Sequence, residues 1–501
     1  MRVSGILLLV IWANSLAASP EPPLQDYHAE SIEAGDSQSK RYAYFEFAKL
    51  YAHDGRREQT LHALERALAN RFTPRTQIRD EPAFQGYAND ERFRAISGQL
   101  PPRDFSRDEG WRYDIAFLGD EARRLHASPT REAFSEEFAQ ATRALSDAVP
   151  TLSDTQIRVK MQTLLALLHD GHSGVDIDQD ARRLPVRLYF FKDGVFVIDA
   201  SDGHKELIGS RVLRIGSRQI DDLLTELPRY VPRDNAMTIK WRGPPTLTRM
   251  QFLQALGAVD SLESATLTLE RDGRKPRTVK VSSIPVTDRE LVGLVPPSRA
   301  SAPPPLYLKQ PATTYWFGPI DAETLYLQFN GIFNMPGGPA IPEFAEALQQ
   351  ELAKGAVQNL IVDVRLNSGG DLGLYPPLFR VLAGFRASSA QHRIYCIIGR
   401  NTFSAAQAFI GDLERFLSPV FVGEPSGSSP NFTGESTGWF ELPYSHTRVN
   451  ISERYHQHST FPDDARKWIA PRIPVELSSS DYFSNRDPAV EAILAVLRDA
   501  H

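Results

Sequence analysis

Leu360-Ile361-Val362-Asp363-Val364 runs directly into Arg365-Leu366-Asn367-Ser368-Gly369-Gly370-Asp371. The first five residues have the apolar, β-branched character of a buried strand. The two glycines let the backbone turn sharply and expose N–H groups, which suit an anion or a developing oxyanion. An ordinary strand-to-helix turn would read the same way. The pattern repeats outward from here. Thr324 to Phe329 predicts a strand and Ile341 to Ala353 a helix. Ile394 to Ile398 predicts a strand, Ser404 to Phe416 a helix, Val420 to Val422 a strand, and Glu491 to Leu497 a closing helix. Strands alternating with helices predict an α/β layer with parallel pairing.

A second motif lies at the end of one of those strands, in Ile398-Gly399-Arg400-Asn401-Thr402-Phe403-Ser404-Ala405-Ala406-Gln407. A serine that opens a helix sits at the positive end of the helix dipole, which favours a neighbouring oxyanion. Two alanines after it leave room for a substrate. Ser404 with Gln407 also fits a capping box, the commoner use of serine at such a place.

A third motif is Leu167-Leu168-His169-Asp170-Gly171-His172-Ser173-Gly174. It follows a helical run in which Ser153-Asp154-Thr155-Gln156 reads as a capping box and Ile157, Met161, Leu164, Leu165 and Leu168 share one face. That helix is expected to stop at Gly171. His172 has a side chain whose ordinary pKa suits a general base. A histidine favoured by the dipole at a helix end is the plainer reading.

The regions before and between these motifs differ in pattern. Tyr42 to Asn70 reads as two amphipathic helices around Gly55. Ala48, Tyr51, Gly55, Leu64 and Ala67 fall at spacings like those of a tetratricopeptide repeat, although Thr60 stands where that repeat has alanine. Val186 to Phe190 and Val195 to Asp199, separated by Lys192-Asp193-Gly194, predict a hairpin. Arg211 to Ile215 and Thr266 to Leu269 extend a β-rich region, and prolines at 296–297 and 303–305 mark its end.

Composition narrows the function classes. The chain has 501 residues, 42% hydrophobic and 24% charged, an ordinary globular balance. Lys plus Arg number 56 against 62 Asp plus Glu, a net charge of −6, so no basic excess marks a nucleic-acid surface. One cysteine, Cys396, excludes an intrachain disulfide or a cysteine-built zinc site. His446, His456 and His458 lack carboxylates at metal spacing and are expected at the surface. Met1-Arg2 followed by an apolar stretch to Ala18 reads as a secretory signal, with small residues before Ser19-Pro20. Export to a periplasm or the outside is expected, with membrane anchoring if the signal stays uncleaved. Asn431-Phe432-Thr433 and Asn450-Ile451-Ser452 are formal glycosylation sites.

Taken together, Asp170-Gly171-His172-Ser173, Asp363 to Gly370 and Thr402-Phe403-Ser404-Ala405-Ala406 resemble the tail-specific, or C-terminal-processing, serine peptidases (peptidase family S41), in the branch that includes the tricorn core. Gly423-Glu424-Pro425-Ser426-Gly427 and the closing Trp468 to Glu476 fit as well. The resemblance covers residues 104 to 500. It implies a crotonase-like α/β catalytic domain at 313–501, a helical part of the core at 104–183 and a PDZ-like β-rich domain at 184–290. Signal peptide 1–18, tetratricopeptide-like region 24–103 and Pro-rich linker 291–312 complete the expected division. By the same resemblance Ser404 is the nucleophile, and Gly369, Gly370 and Ala405 supply the oxyanion hole. No lysine occurs from Ala405 to Arg466, so the serine–lysine form of the family is excluded and His172 is the expected base. Ser173 is expected to orient it. Asp464 stands nearest to the family's glutamate, with Asp463 next. The implied activity is hydrolysis of peptide bonds in unfolded or extended polypeptides through an acyl-enzyme, without metal or organic cofactor. An inactive relative that binds peptides or apolar ligands is the alternative.

Overall fold

The computed structural model describes residues 37–72, 74–101, 103–127, 136–177, 181–286, 294–295, 303–310, 313–434 and 438–499. The signal-like stretch 1–18 and most of the expected linker 291–312 lie outside them. The chain divides into two compact units, Met1–Arg103 and Asp104–His501.

In the first unit, Ser37–His53 and Arg57–Ala69 form a helical hairpin that turns at Gly55, whose φ is +69°. Ala48, Leu64 and Ala67 are fully buried between the helices. Thr60 is buried too, and its hydroxyl donates to the Arg56 carbonyl at 2.9 Å, so a polar residue stands there without an unpaired group. Phe72, Phe84 and Phe93 from the following segments complete a separate core.

The second unit begins with helices Arg107–Leu125, Glu136–Ala148 and Asp154–Ala166. The capping box at Ser153 and Gln156 forms as expected. The helix, however, ends at Ala166, five residues before Gly171. The left-handed residue beyond it is His169, at φ +53°. These helices pack on a small sheet in which Gly174–Val175 pairs with Arg448–Asn450, which pairs with Phe440–Glu441. That pairing carries the histidine motif to residues nearly three hundred positions later.

Residues 184–286 build their own antiparallel sheet around their own core. The hairpin Val186–Phe191 and Gly194–Ala200 leads to Arg211–Ile215, then Ser264–Glu270, then Arg277–Ser282. Helix Ala236–Thr246 packs on it despite Pro244 and Pro245 near its end.

The last third is a six-stranded sheet. Tyr315–Pro319 lies antiparallel on Thr324–Phe329 at one edge. Asn359–Asp363, Arg393–Ile398, Val420–Gly423 and Ile473–Pro474 follow in parallel. Ile341–Leu352, Pro376–Ser388 and Ala405–Leu417 cover one face, and Pro488–Asp499 the other. Both faces are thus buried, which accounts for the continuous apolar strands. The antiparallel edge strand and helix Pro376–Ser388 are not signalled by the alternation seen in sequence.

Candidate active site

Strand Arg393–Ile398 ends in a turn stitched to its neighbours. Thr402 Oγ1 accepts from Gly399 N–H at 3.0 Å and donates to the Val364 carbonyl at 2.9 Å. Phe403 N–H donates to the Asn367 carbonyl at 3.2 Å. The chain then passes through Ser404 at φ +56°, ψ −125°, a region that residues with side chains rarely occupy. Helix Ala405–Leu417 starts immediately after it. The serine caps nothing: its hydroxyl makes no bond to the helix, and neither amide atom of buried Gln407 has a hydrogen-bond partner. Ser404 Oγ instead lies 2.9 Å from His172 Nε2, across 232 residues of chain. The capping-box reading therefore does not hold.

The loop bearing His172 is held on every side. Asp170 Oδ1 accepts from His172 N–H and Ser173 N–H, both at 2.7 Å, and from Ser452 Oγ at 2.8 Å. Asp170 Oδ2 lies 2.8 Å from buried His126 Nε2. Asn450 Nδ2 donates to the His172 carbonyl at 2.8 Å. Asp170 is buried, yet its partners, His126 foremost, hold its carboxyl well below the usual range. The imidazole stacks between Phe403, at 4.5 Å, and Phe432, at 5.8 Å. Burial between these rings pulls its pKa down to about 4; Asp170 opposes the shift, while Arg242 and His456 add to it. The ring is therefore neutral at pH 7 and able to accept a proton through Nε2.

Gly369 and Gly370 stand beside the serine, at φ +106° and +140°. A Cβ on Gly369 would lie 2.8 Å from Ser404 Cβ, and one on Gly370 2.2 Å from the Ile332 carbonyl oxygen. Conformation and space both require glycine here. Gly369 N–H donates to Asn367 Oδ1 at 2.9 Å. Of the three expected donors it is thus already engaged, and Gly370 and Ala405 N–H are the two remaining. They flank a helix N-terminus, where backbone dipoles favour negative charge.

Two expected site residues lie elsewhere in the network. Asp464 accepts from Ser459 Oγ at 2.6 Å and from Arg466, which pulls its pKa down to about 2. No hydrogen bond joins it to His172, whose Nδ1 makes no hydrogen bond of good geometry among the described residues, although the Thr433 backbone favours the protonated ring. Arg466 satisfies Asp464 within its own loop, which is the physical reason it is not drawn to the imidazole. Ser173 is buried, with its hydroxyl on Ser452 and not on the His172 ring. The formal glycosylation sites are also structural: Asn431 Nδ2 donates to the Phe461 and Pro462 carbonyls, and Asn450 holds His172. His456 and His458 stack on Phe432. Among the described residues no group of three or more His, Cys, Asp or Glu could hold a metal ion.

The structure adds residues that sequence reasoning missed. Asp234 Oδ1 accepts from Gly171 N–H at 2.6 Å, and Arg242 Nη1 donates to the Gly171 carbonyl. Ser428 Oγ accepts from Ser404 N–H at 3.2 Å. Nothing local in the sequence signals these roles, because each depends on a contact across tens of residues.

No protein-family model matches the chain, and no curated protein matches it in sequence. Solved structures do. Mature CPAF aligns at a TM-score of 0.53 and 14% identity, covering 75% of this chain and 94% of that one. A mutant of CPAF with alanine in place of one serine gives 0.56 and 14%, covering 77% and 96%. Mature CPAF complexed with lactacystin gives 0.56 and 14%, covering 78% and 97%. At that identity the likeness is one of fold: a mixed helix-and-sheet chain built like CPAF over nearly the whole CPAF length.

Proposed function

We propose that this chain is a serine-type peptidase in which Ser404 is the nucleophile and His172 the general base. The observation that carries the reading is the 2.9 Å contact between Ser404 Oγ and His172 Nε2, made by a serine in a rare backbone conformation at a helix N-terminus. The fold shared with CPAF, an S41 peptidase, supports it. In this mechanism His172 Nε2 takes the hydroxyl proton as Oγ attacks the scissile carbonyl. Gly370 and Ala405 N–H groups receive the oxyanion, and Gly369 keeps the loop against Ser404. The imidazolium then protonates the leaving amine, and water resolves the acyl-enzyme by the same route. His172 works here without a carboxylate at Nδ1; buried Asp170 acts on it through the loop and through its field. The tricorn-like branch, a crotonase-type catalytic layer, a PDZ-like unit at 184–286, and export by the signal-like leader belong to this proposal. No helix among the described residues is long and apolar enough to cross a membrane.

An active-site fluorophosphonate tests the reading. The wild type is expected to be labelled and Ser404→Ala to be silent; equal labelling of both moves the nucleophile elsewhere. One observation favours a second reading, that of an inactive binding module: among the described residues no carboxylate hydrogen-bonds the His172 ring, and Asp464 is held by Ser459 and Arg466 instead. A wild type that takes no label but binds peptides would establish it.

A further inference from the structure

The two peptide units on either side of Gly171 are each gripped from a part of the chain that the proposed chemistry does not use. Gly171 N–H donates to Asp234 at 2.6 Å, and Arg242 donates to the Gly171 carbonyl. Both residues come from the unit at 184–286, where they bracket the start and middle of helix Ala236–Thr246. The guanidinium of Arg242 also lies 5.0 Å over the Phe403 ring, whose centroid is 4.5 Å from that of His172. Phe403 immediately precedes the serine. The contact leaves no spare room: a Cβ on Gly171 would fall 2.6 Å from Phe403 Cζ and 3.1 Å from Asp234 Oδ1.

The same helix is fastened to the serine side of the site. Asn235 caps it, and Asn235 Nδ2 donates to the Ser426 carbonyl at 3.2 Å and to the Lys467 carbonyl at 2.6 Å. Thr238 Oγ1 donates to the Gly427 carbonyl at 2.7 Å. The next residue, Ser428, accepts the Ser404 N–H. One helix terminus thus touches the backbone that carries the histidine and the loop that holds the serine.

We infer that Asp234 and Arg242 are positioning residues, which set the His172 imidazole against Ser404 by holding the two peptide units that meet at Gly171, the first through the Asp234 carboxyl and the second through the Arg242 guanidinium. The inference rests on the Ser404–His172 reading for its kinetic consequence, but not for its geometric one. One contact on each of the two peptide units that meet at Gly171 fixes both planes and therefore the direction in which the next side chain leaves the loop. A shift of about 1 Å at His172 would suffice to lose the 2.9 Å contact and roughly a hundredfold in rate.

The test uses the full chain with Asp234→Ala, Asp234→Asn and Arg242→Gln. In a crystal structure of Asp234→Ala, His172 Nε2 is expected to have moved out of hydrogen-bond reach of Ser404 Oγ. In fluorophosphonate labelling and peptide turnover, Asp234→Ala should lose about tenfold or more in kcat with KM little changed, the mark of misplacement after binding. Asp234→Asn keeps an oxygen that can accept from Gly171 N–H, and should recover most of the rate. Thermal unfolding is followed in parallel. Should Asp234→Ala not fold, Arg242→Gln, which retains a donor but loses the cation over Phe403, is expected to give a smaller loss of the same kind. A His172–Ser404 contact unchanged in Asp234→Ala, or in Arg242→Gln with wild-type labelling, overturns the inference. A wild type unlabelled at Ser404 overturns the catalytic reading alone, and the crystallographic comparison still decides the clamp.

Discussion

At the residue scale, the serine and its histidine each occupy a costly state. A side-chain-bearing residue at φ +56° stores about 1–3 kcal/mol of backbone strain, held in place by bonds from Thr402, Phe403 and Ser428. Glycine would relax it. Ser404→Gly is therefore expected to be more stable than Ser404→Ala by ~1 kcal/mol, although both lack the proposed nucleophile. Paired thermal melts check this, and equal stability would remove strain from the account. His172 is buried among aromatic rings, and its pKa lies at about 4 in place of the ordinary 6.5. In the proposed mechanism the neutral ring is the base, so kcat/KM should fall only as pH drops through about 4 and stay level from about pH 5 to 7. A limb near 6.5 in the pH–rate profile would show an imidazole that is not desolvated in the working enzyme.

At the scale of elements, the site is the meeting of three strand or helix ends, each ending for a reason written in its residues. The strand Asn359–Asp363 ends in two glycines whose neighbours leave no space for a Cβ. The strand Arg393–Ile398 ends in a turn pinned by Thr402. The helix Asp154–Ala166 ends early, and Asp170 then gathers the N–H groups of His172 and Ser173. Gly369→Ala places a methyl 2.8 Å from Ser404 Cβ at a backbone angle that alanine avoids. We expect it to abolish labelling and to destabilise by about 1–3 kcal/mol, read by probe reaction and denaturant melts. Near-wild-type labelling would show that the loop can retreat from the serine. The segment after Gly370 is the natural strand edge to receive a substrate backbone, but it folds back: Asp371 N–H donates to the Ile332 carbonyl at 2.8 Å and Gly373 N–H to Asp371 Oδ1 at 2.8 Å. Those two donors are spent within the fold.

At the scale of the whole second unit, buried charges join the layers. Arg400, almost completely buried one turn before the serine, pairs with Glu424 and donates to the Phe190 carbonyl of the β-rich unit at 2.6 Å. Arg365 bridges Asp363 in the sheet and Asp487 before the closing helix, at 2.8 and 2.9 Å. Such pairs cost much to break, because the partner left behind stays buried and charged. The serine and histidine are half-buried between these layers, so a scissile bond must be presented on an extended chain to reach Oγ. One protein offered both native and unfolded should accordingly be cut much faster unfolded. Equal cleavage would mean that the layers part, and cleavage of neither, with firm binding, would favour the binding module.

The sequence by itself determined most of the elements around the site, though not the edge strand Tyr315–Pro319 or helix Pro376–Ser388. Apolar runs, glycine pairs and caps are local, and they placed Thr324–Phe329, Asn359–Asp363, Arg393–Ile398 and the serine helix to within a residue or so. Ser404, His172, Gly369 and Gly370 stood out as candidates because each sits near such an element's end. Only the tertiary structure decided what those residues touch. Ser404 with Gln407 spells a helix cap, and nothing local says that the hydroxyl turns to a histidine 232 residues away. Asp464 was the nearest acid by position in the chain, but Arg466 neutralises it two residues on. Asp234 and Arg242 carry no motif at all. Their roles arise from hydrogen bonds to the N–H and the carbonyl of one glycine, and hydrogen bonds of that kind follow from how layers pack, not from the order of residues within them.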